Sequence, residues 1–180
     1  MEPDPYQGMI TMKGKFILIT LGVLVLDHLT KARISTSMNL FDAIEIIPGY
    51  LRISYVRNTG VAFGLFDGHP SPWKPYLLAA MAVVAVVVIV VYSWHMPPAR
   101  VLLQSALAVT AGGILGNFLD RIMHGSVVDF IEFHIRDSFQ WPTFNVADSA
   151  ITIGIAMLLI DALKHSDHDV SSEEADPMQQ

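Results

Sequence analysis

The 180-residue chain contains no cysteine, which excludes disulfides and thiol nucleophiles outright. Charge is scarce: 16% of the residues are Asp, Glu, Lys or Arg, against 52% hydrophobic. There is no H-E-x-x-H, and His28, His124 and His134 lack the spacing of a metal site. Gly8, Gly14 and Gly49 do not compose a phosphate-binding loop, no internal repeat is visible, and no basic patch suited to nucleic acid is present. Ser105 lies in an apolar stretch with no lysine or histidine beside it, so a serine nucleophile would need a distant base. The net charge of −6 says little about partners, because much of it follows His165.

What the chain does have is long apolar stretches. Spans are predicted near 14–33, 75–94, 101–120 and 144–163, each close to the roughly 20 residues that a hydrocarbon core requires. Leu77 to Val91 is unbroken apolar sequence between Trp73 and Tyr76 at one end and Tyr92 and Trp94 at the other, an aromatic belt at both interfaces. The third stretch holds Gln104, Ser105, Thr110 and Asn117 and is expected to face protein. The fold class expected is therefore an all-α membrane protein, with four transmembrane helices and a small β-rich extramembrane cradle. Residues 1–13 form an N-terminal segment and 164–180 an acidic tail expected to be disordered. Lys13 and Lys15 precede the first stretch as in a signal peptide. The run continues into DHLTK rather than a small-residue cleavage site, so it reads as a retained span.

The connection HMPPAR makes the second and third spans a tight antiparallel hairpin. The longer loops, about 34–74 and 121–143, lie on the other side. In the first, Leu51 to Tyr55 alternates as a strand, and Asn58-Thr59-Gly60 reads as a turn. In the second, Val127, Asp129, Ile131, Phe133 and Ile135 share one face of a strand-like run, which sets Asp129 on an apolar face. An even number of spans leaves both termini on one side. Lys13, Lys15, Arg100 and Lys164 lie there, against seven basic residues opposite, so the charge count runs against the positive-inside rule. Termini-inside rests instead on the flanks of the first span and on the family likeness below.

Polar groups gather where these spans meet the longer loops. Asp27 and Lys31 end the first; Asn117, Asp120 and Arg121 end the third; Asn145 and Asp148 open the fourth. Ionisable groups near hydrocarbon cost roughly 2.5–3.5 kcal/mol each on insertion scales, so their convergence suggests a site. Asp129 and Asp148 could work as a pair: two carboxylates in one site cannot both ionise cheaply, so one keeps a proton while the other takes one from water. Asn145 and Asp148 read equally well as a helix cap and its first turn. Asp27 and Lys31, four apart, read as a supporting ion pair. Asn117 and Arg121 share a helical face and could hold peptide carbonyls, with Asp120 able to orient Arg121. Gly112 and Gly116 have the spacing of close helix packing. A small proton- or cation-conducting transporter and a non-catalytic scaffold are the rival readings. A transporter would favour polar groups at the midplane and often an internal repeat.

The blocks DHLTK (27–31), NTGVAF (58–63), GGILGNFLDR (112–121), VVDF (127–130) and FNVADS (144–149), interleaved with the predicted spans, resemble the bacterial lipoprotein signal peptidase family, signal peptidase II. The resemblance covers roughly 14–163 and implies a four-span aspartic peptidase of the bacterial inner membrane. Both termini would be cytoplasmic and the active site would lie at the periplasmic interface. It implies cleavage of diacylglyceryl-modified prolipoprotein signal peptides just before the lipidated cysteine, with membrane lipid as a further partner. By position, Asp129 and Asp148 match the catalytic pair, and Asp27, Lys31, Asn58, Gly60, Asn117, Arg121 and Asn145 match the surrounding motif positions. It implies a mobile segment of the first long loop over the site and inhibition by globomycin-type cyclic peptides; water attack by two carboxylates requires no metal or organic cofactor, and a monomer without nucleic acid is expected. His28, where glutamine is common, and Val61, where alanine is common, depart from the pattern without touching the pair.

Overall fold

A computed structural model describes residues 5–60, 72–136 and 138–174. The elements in chain order are α1 (Pro5–Ser37), β1 (Ala43–Ile47), β2 (Leu51–Asn58), α2 (Lys74–His95), α3 (Val101–His124), β3 (Val127–Ile135), β4 (Phe139–Gln140) and α4 (Val146–Glu174). The backbone of α4 stays helical for the first ten residues beyond Lys164. Residues 61–71 of the first long loop, the loop expected to carry a segment that moves over the site, lie outside the described residues.

Helix α3 is the central element and packs against α1, α2 and α4. Its small residues let the neighbours approach. A Cβ on Gly112 would lie 2.7 Å from Val23 Cβ of α1, and one on Gly113 would lie 2.4 Å from the Ala147 carbonyl oxygen of α4. One on Gly116 would meet Asp27 Oδ2 at 2.5 Å and the Ala147 Cβ at 3.3 Å. The spacing read as a packing motif is therefore a packing motif, and Gly113 serves it as well. The α2–α3 hairpin is tied by Ser93 Oγ donating to Gln104 Oε1 (2.5 Å) and Gln104 Nε2 donating to the Ser93 carbonyl (2.9 Å). Arg100, just before α3, pairs with Asp161 of α4.

The distribution of polarity is inverted relative to a water-soluble bundle. Leu18, Leu21 and Leu29 of α1 and Val84 and Val88 of α2 point outward, while Asp27, Lys31, Asp120 and Asn145 are buried. Such a surface suits a hydrocarbon solvent, in which charges turn inward and pair. Among the described residues, three helices are long and apolar enough to cross a membrane: Lys74–His95, Val101–His124 and Val146–Lys164. Trp73, Tyr76, Tyr92 and Trp94 are exposed at the two ends of α2, as an interfacial belt requires.

The strands form one antiparallel sheet of order β1-β2-β3-β4. The strands read from the sequence are β2 and β3; β1 and β4 were not anticipated. Gly125 (φ +69°) closes α3 in the left-handed conformation, its amide donating to the Arg121 carbonyl at 2.9 Å. A residue without a Cβ takes that turn at little cost, and β3 starts two residues later. Of the face that carries Asp129, Val127 is buried but Phe133 and Ile135 are exposed, whereas Val128, Phe130, Glu132 and His134 on the reverse face are all buried. The Asp129 face is thus not the core face along its whole length; its far half opens onto a cavity.

Candidate active site

A cavity of about 860 Å³ lies between the sheet and the ends of α3 and α4. Asp129 and Asp148 both line it, as do Asn58, Asn117 and Arg121. Its far wall is aromatic, with Phe133 stacked at a tilt on Phe144 and Phe139 on Trp141. Asp27, Lys31 and Asn145 stand behind this lining, fully or almost fully buried.

Each side chain is placed by a local device. Asn145 caps α4: its Oδ1 accepts the Asp148 amide (2.9 Å), and Asp148 Oδ2 accepts the Asn145 amide in return (3.3 Å). This reciprocal box fixes Asp148 in the first turn. It also leaves the Asn145 side-chain amide free to reach sideways, where Nδ2 donates to Asp129 Oδ1 at 2.6 Å and to Asn117 Oδ1 at 3.2 Å. Capping and site building are one arrangement here. Asn117 Nδ2 donates to Asp148 Oδ1 at 2.7 Å. Two asparagines therefore link the carboxylates, each held by an amide.

Asn58 ends β2 opposite Val127, and its Nδ2 donates to Asp129 Oδ2 at 2.9 Å. Its Oδ1 accepts the Gly60 amide at 2.8 Å, and the Gly60 carbonyl accepts Arg121 Nη2 at 3.2 Å. Arg121 Nη1 donates to the Asn117 carbonyl at 3.2 Å. The turn read at 58–60 thus clasps the third helix through its arginine. The remainder of NTGVAF, residues 61–63, lies outside the described residues.

Behind the pair sits Lys31, 3% exposed. Its Nζ lies 2.6 Å from Asp27 Oδ2, 3.0 Å from Asp120 Oδ2 and 3.0 Å from Asn117 Oδ1. An ammonium has three donors, and three acceptors face it. Asp27 Oδ1 in turn accepts the Ala147 amide at 2.9 Å, joining α1 to the start of α4. Asp120 faces Lys31, with no hydrogen bond to Arg121 among the described contacts; its Oδ2 accepts the Val128 amide at 3.3 Å. Adjacent helical residues point about 100° apart, so α3 shows Asp120 to α1 and Arg121 to the cavity.

Burial, and then the charge of Asp148, push the Asp129 carboxyl up to about 7, while hydrogen bonds from Asn58 and Asn145 and the charge of Lys31 pull it down. One carboxyl of such a pair keeps a proton near neutrality while its neighbour ionises, which supplies an acid and a base in one cavity. No group of three or more His, Cys, Asp or Glu residues suited to a metal ion occurs among the described residues.

Residues 19–164 match the family described as Signal peptidase (SPase) II. Proteins named lipoprotein signal peptidase are similar over most of the chain. That of Pseudomonas fluorescens is 41% identical over 150 residues, covering 83% of this chain and 87% of its own length. That of Alteromonas mediterranea is 37% identical over 153 residues (85% and 82%), and that of Staphylococcus haemolyticus 35% over 168 residues (91% and 100%). Among solved structures, a bacterial membrane enzyme determined by the in meso method at 2.3 Å resolution superimposes with a TM-score of 0.76 at 35% identity, covering 86% of this chain and 91% of the other. A second, at 1.9 Å resolution, gives 0.74 at 34% identity, covering 84% and 94%.

Proposed function

The chain belongs to the signal peptidase II family, and we propose that Asp129 and Asp148 are the acid–base pair with which it cuts its substrate. It is a membrane protease that removes signal peptides from lipoprotein precursors. The observation that carries the assignment is the pair of asparagines, Asn145 and Asn117, that hold the two carboxylates at one cavity.

The ionised carboxylate takes a proton from water as the oxygen attacks the scissile carbonyl carbon. The protonated one hydrogen-bonds the carbonyl oxygen as it gains charge. The tetrahedral adduct then breaks its C–N bond, and a proton passes from the pair to the departing amine nitrogen. Water is the only co-reactant, and the pair returns with one proton between its members. Arg121 and Asn117 position the peptide, Asn58 and Gly60 hold the near edge of the cavity, and Asp27 and Lys31 support it from behind.

The substrate is a diacylglyceryl-modified prolipoprotein, cut just before the lipidated cysteine. Its acyl chains stay in the bilayer, so the scissile bond is held beside the membrane surface, at the helix ends where the pair lies. We read α1 as a fourth span alongside the three apolar helices: Leu18, Leu21, Leu26 and Leu29 face outward while Asp27 and Lys31 turn inward. Both termini then lie in the cytoplasm and the cavity at the outer face of the inner membrane. Residues 14–163 form the peptidase unit, acting as a monomer open to globomycin-type cyclic peptides.

The test is cleavage of a lipid-modified precursor and its unlipidated counterpart by the purified protein. Cleavage before the cysteine, at least about tenfold faster on the lipidated form, supports the reading. Equal rates on both would overturn lipid-directed positioning.

A further inference from the structure

We propose that Asp120 is a positioning residue for this reaction, holding the strand that carries Asp129 and balancing the lysine charge behind the carboxylate pair; the proposal rests on the assignment of that pair. Asp120 is buried at 4% exposure, and its Oδ2 meets two groups. It accepts the amide of Val128, the residue before Asp129, at 3.3 Å, and stands 3.0 Å from Lys31 Nζ. The first contact pins the start of β3 to the end of α3. The left-handed turn at Gly125 redirects the chain and pairing with β2 guides the strand, and this bond ties the strand's start, next to Asp129, to the end of α3.

The second contact is electrostatic. Lys31 favours ionisation of Asp129, and Asp148 opposes it. Asp27 and Asp120 flank the same ammonium, two carboxyl groups to one lysine beside the pair. Among the described residues, the other charged or titratable groups facing this region are His28 of α1, 3.9 Å from Asp27, Arg121 of α3, and Arg57 of β2, His134 of β3 and Tyr50 in the cavity wall. Of the two carboxylates on the lysine, Asp27 also accepts the Ala147 amide of α4, whereas Asp120 also accepts the Val128 amide on the Asp129 strand. Losing the Asp120 charge alone would leave Lys31 less compensated, and the pair would ionise at lower pH.

The experiment measures kcat and KM against pH on a diacylglyceryl-modified precursor for the full-length wild type, Asp120→Asn, Asp120→Ala and the double variant Lys31→Gln/Asp120→Asn. Asparagine keeps an acceptor for Val128, so KM should stay within about twofold while the alkaline limb moves down by about half a pH unit or more. Alanine loses the acceptor too, and kcat at its optimum should fall at least about tenfold further with little change in KM. The double variant removes one charge of each sign, so its alkaline limb should return to the wild-type position. A wild-type profile in Asp120→Asn, or a displaced one in the double variant, overturns the proposal. If neither variant accumulates in the membrane, Asp120 serves folding alone and the proposal is also overturned. Failure of the pair assignment is distinct: it would appear as turnover by Asp129→Asn whatever Asp120 does.

Discussion

Asn145 donates from Nδ2 to Asp129 Oδ1 at 2.6 Å while the same side chain caps the helix that carries Asp148. One residue thus sets both carboxylates, and its two tasks can be separated. Asn145→Asp keeps an acceptor for the Asp148 amide but puts a third carboxyl beside Asp129. Asn145→Ala loses cap and bridge together, costing about 1 kcal/mol of helix stability for the cap. We expect both variants to lose at least about a hundredfold in kcat, with only Asn145→Ala markedly lower in thermal stability. Turnover of Asn145→Ala near the wild-type rate would show that the bridge is dispensable.

The glycines of the helix interfaces should sort by what a methyl group would strike. Gly113→Ala meets a backbone carbonyl of α4 at 2.4 Å, and backbone cannot swing aside. It should lower stability by about 1–3 kcal/mol and reduce activity, since the struck residue, Ala147, adjoins Asp148. Gly22→Ala meets nothing within 4 Å and should be neutral or slightly stabilising. Thermal unfolding in detergent checks the contrast; equal midpoints for the two variants would refute close packing at α3–α4.

The raised Asp129 carboxyl makes a prediction about stability with a definite sign. Its folded value, about 7, lies above the ordinary 3.8, so the folded protein holds a proton that the unfolded chain releases. That contribution is fully present below about 4 and is lost as pH rises through about 7. Asp129→Asn removes the titration. Its stability relative to wild type should therefore rise between pH 5 and pH 8, even though Asn58 loses a carboxylate acceptor at every pH. Chemical denaturation at the two pH values checks this; a constant difference would mean that Asp129 titrates normally.

Much of the fold was legible because hydrocarbon imposes a simple rule: an apolar run of sufficient length becomes a helix. The α2–α3 hairpin, the β2 and β3 strands and the Asp27–Lys31 pair follow from run length, alternation and i, i+4 spacing. β1 and β4 did not, because a five-residue and a two-residue strand carry too little pattern and are fixed by pairing with β2 and β3. The site was legible as residue types but not as a network. Residue type alone offers Asn145 as cap or as site, yet a capping asparagine uses only its oxygen and main chain, leaving its nitrogen for Asp129. Adjacency suggests that Asp120 orients Arg121, but neighbours on a helix point about 100° apart and Asp120 turns to Lys31 instead. The signal available was its four-residue frame: Asp120 and Gly116 share the face of α3 turned to α1.

The most direct test is turnover of a diacylglyceryl-modified precursor by Asp129→Asn and Asp148→Asn, each shown to be folded by its thermal transition. With an acid and a base both required, each variant should fall by at least about a thousandfold in kcat, and the double variant should fall little further, because the two act as a unit. Near-normal turnover by either single variant would contradict the account.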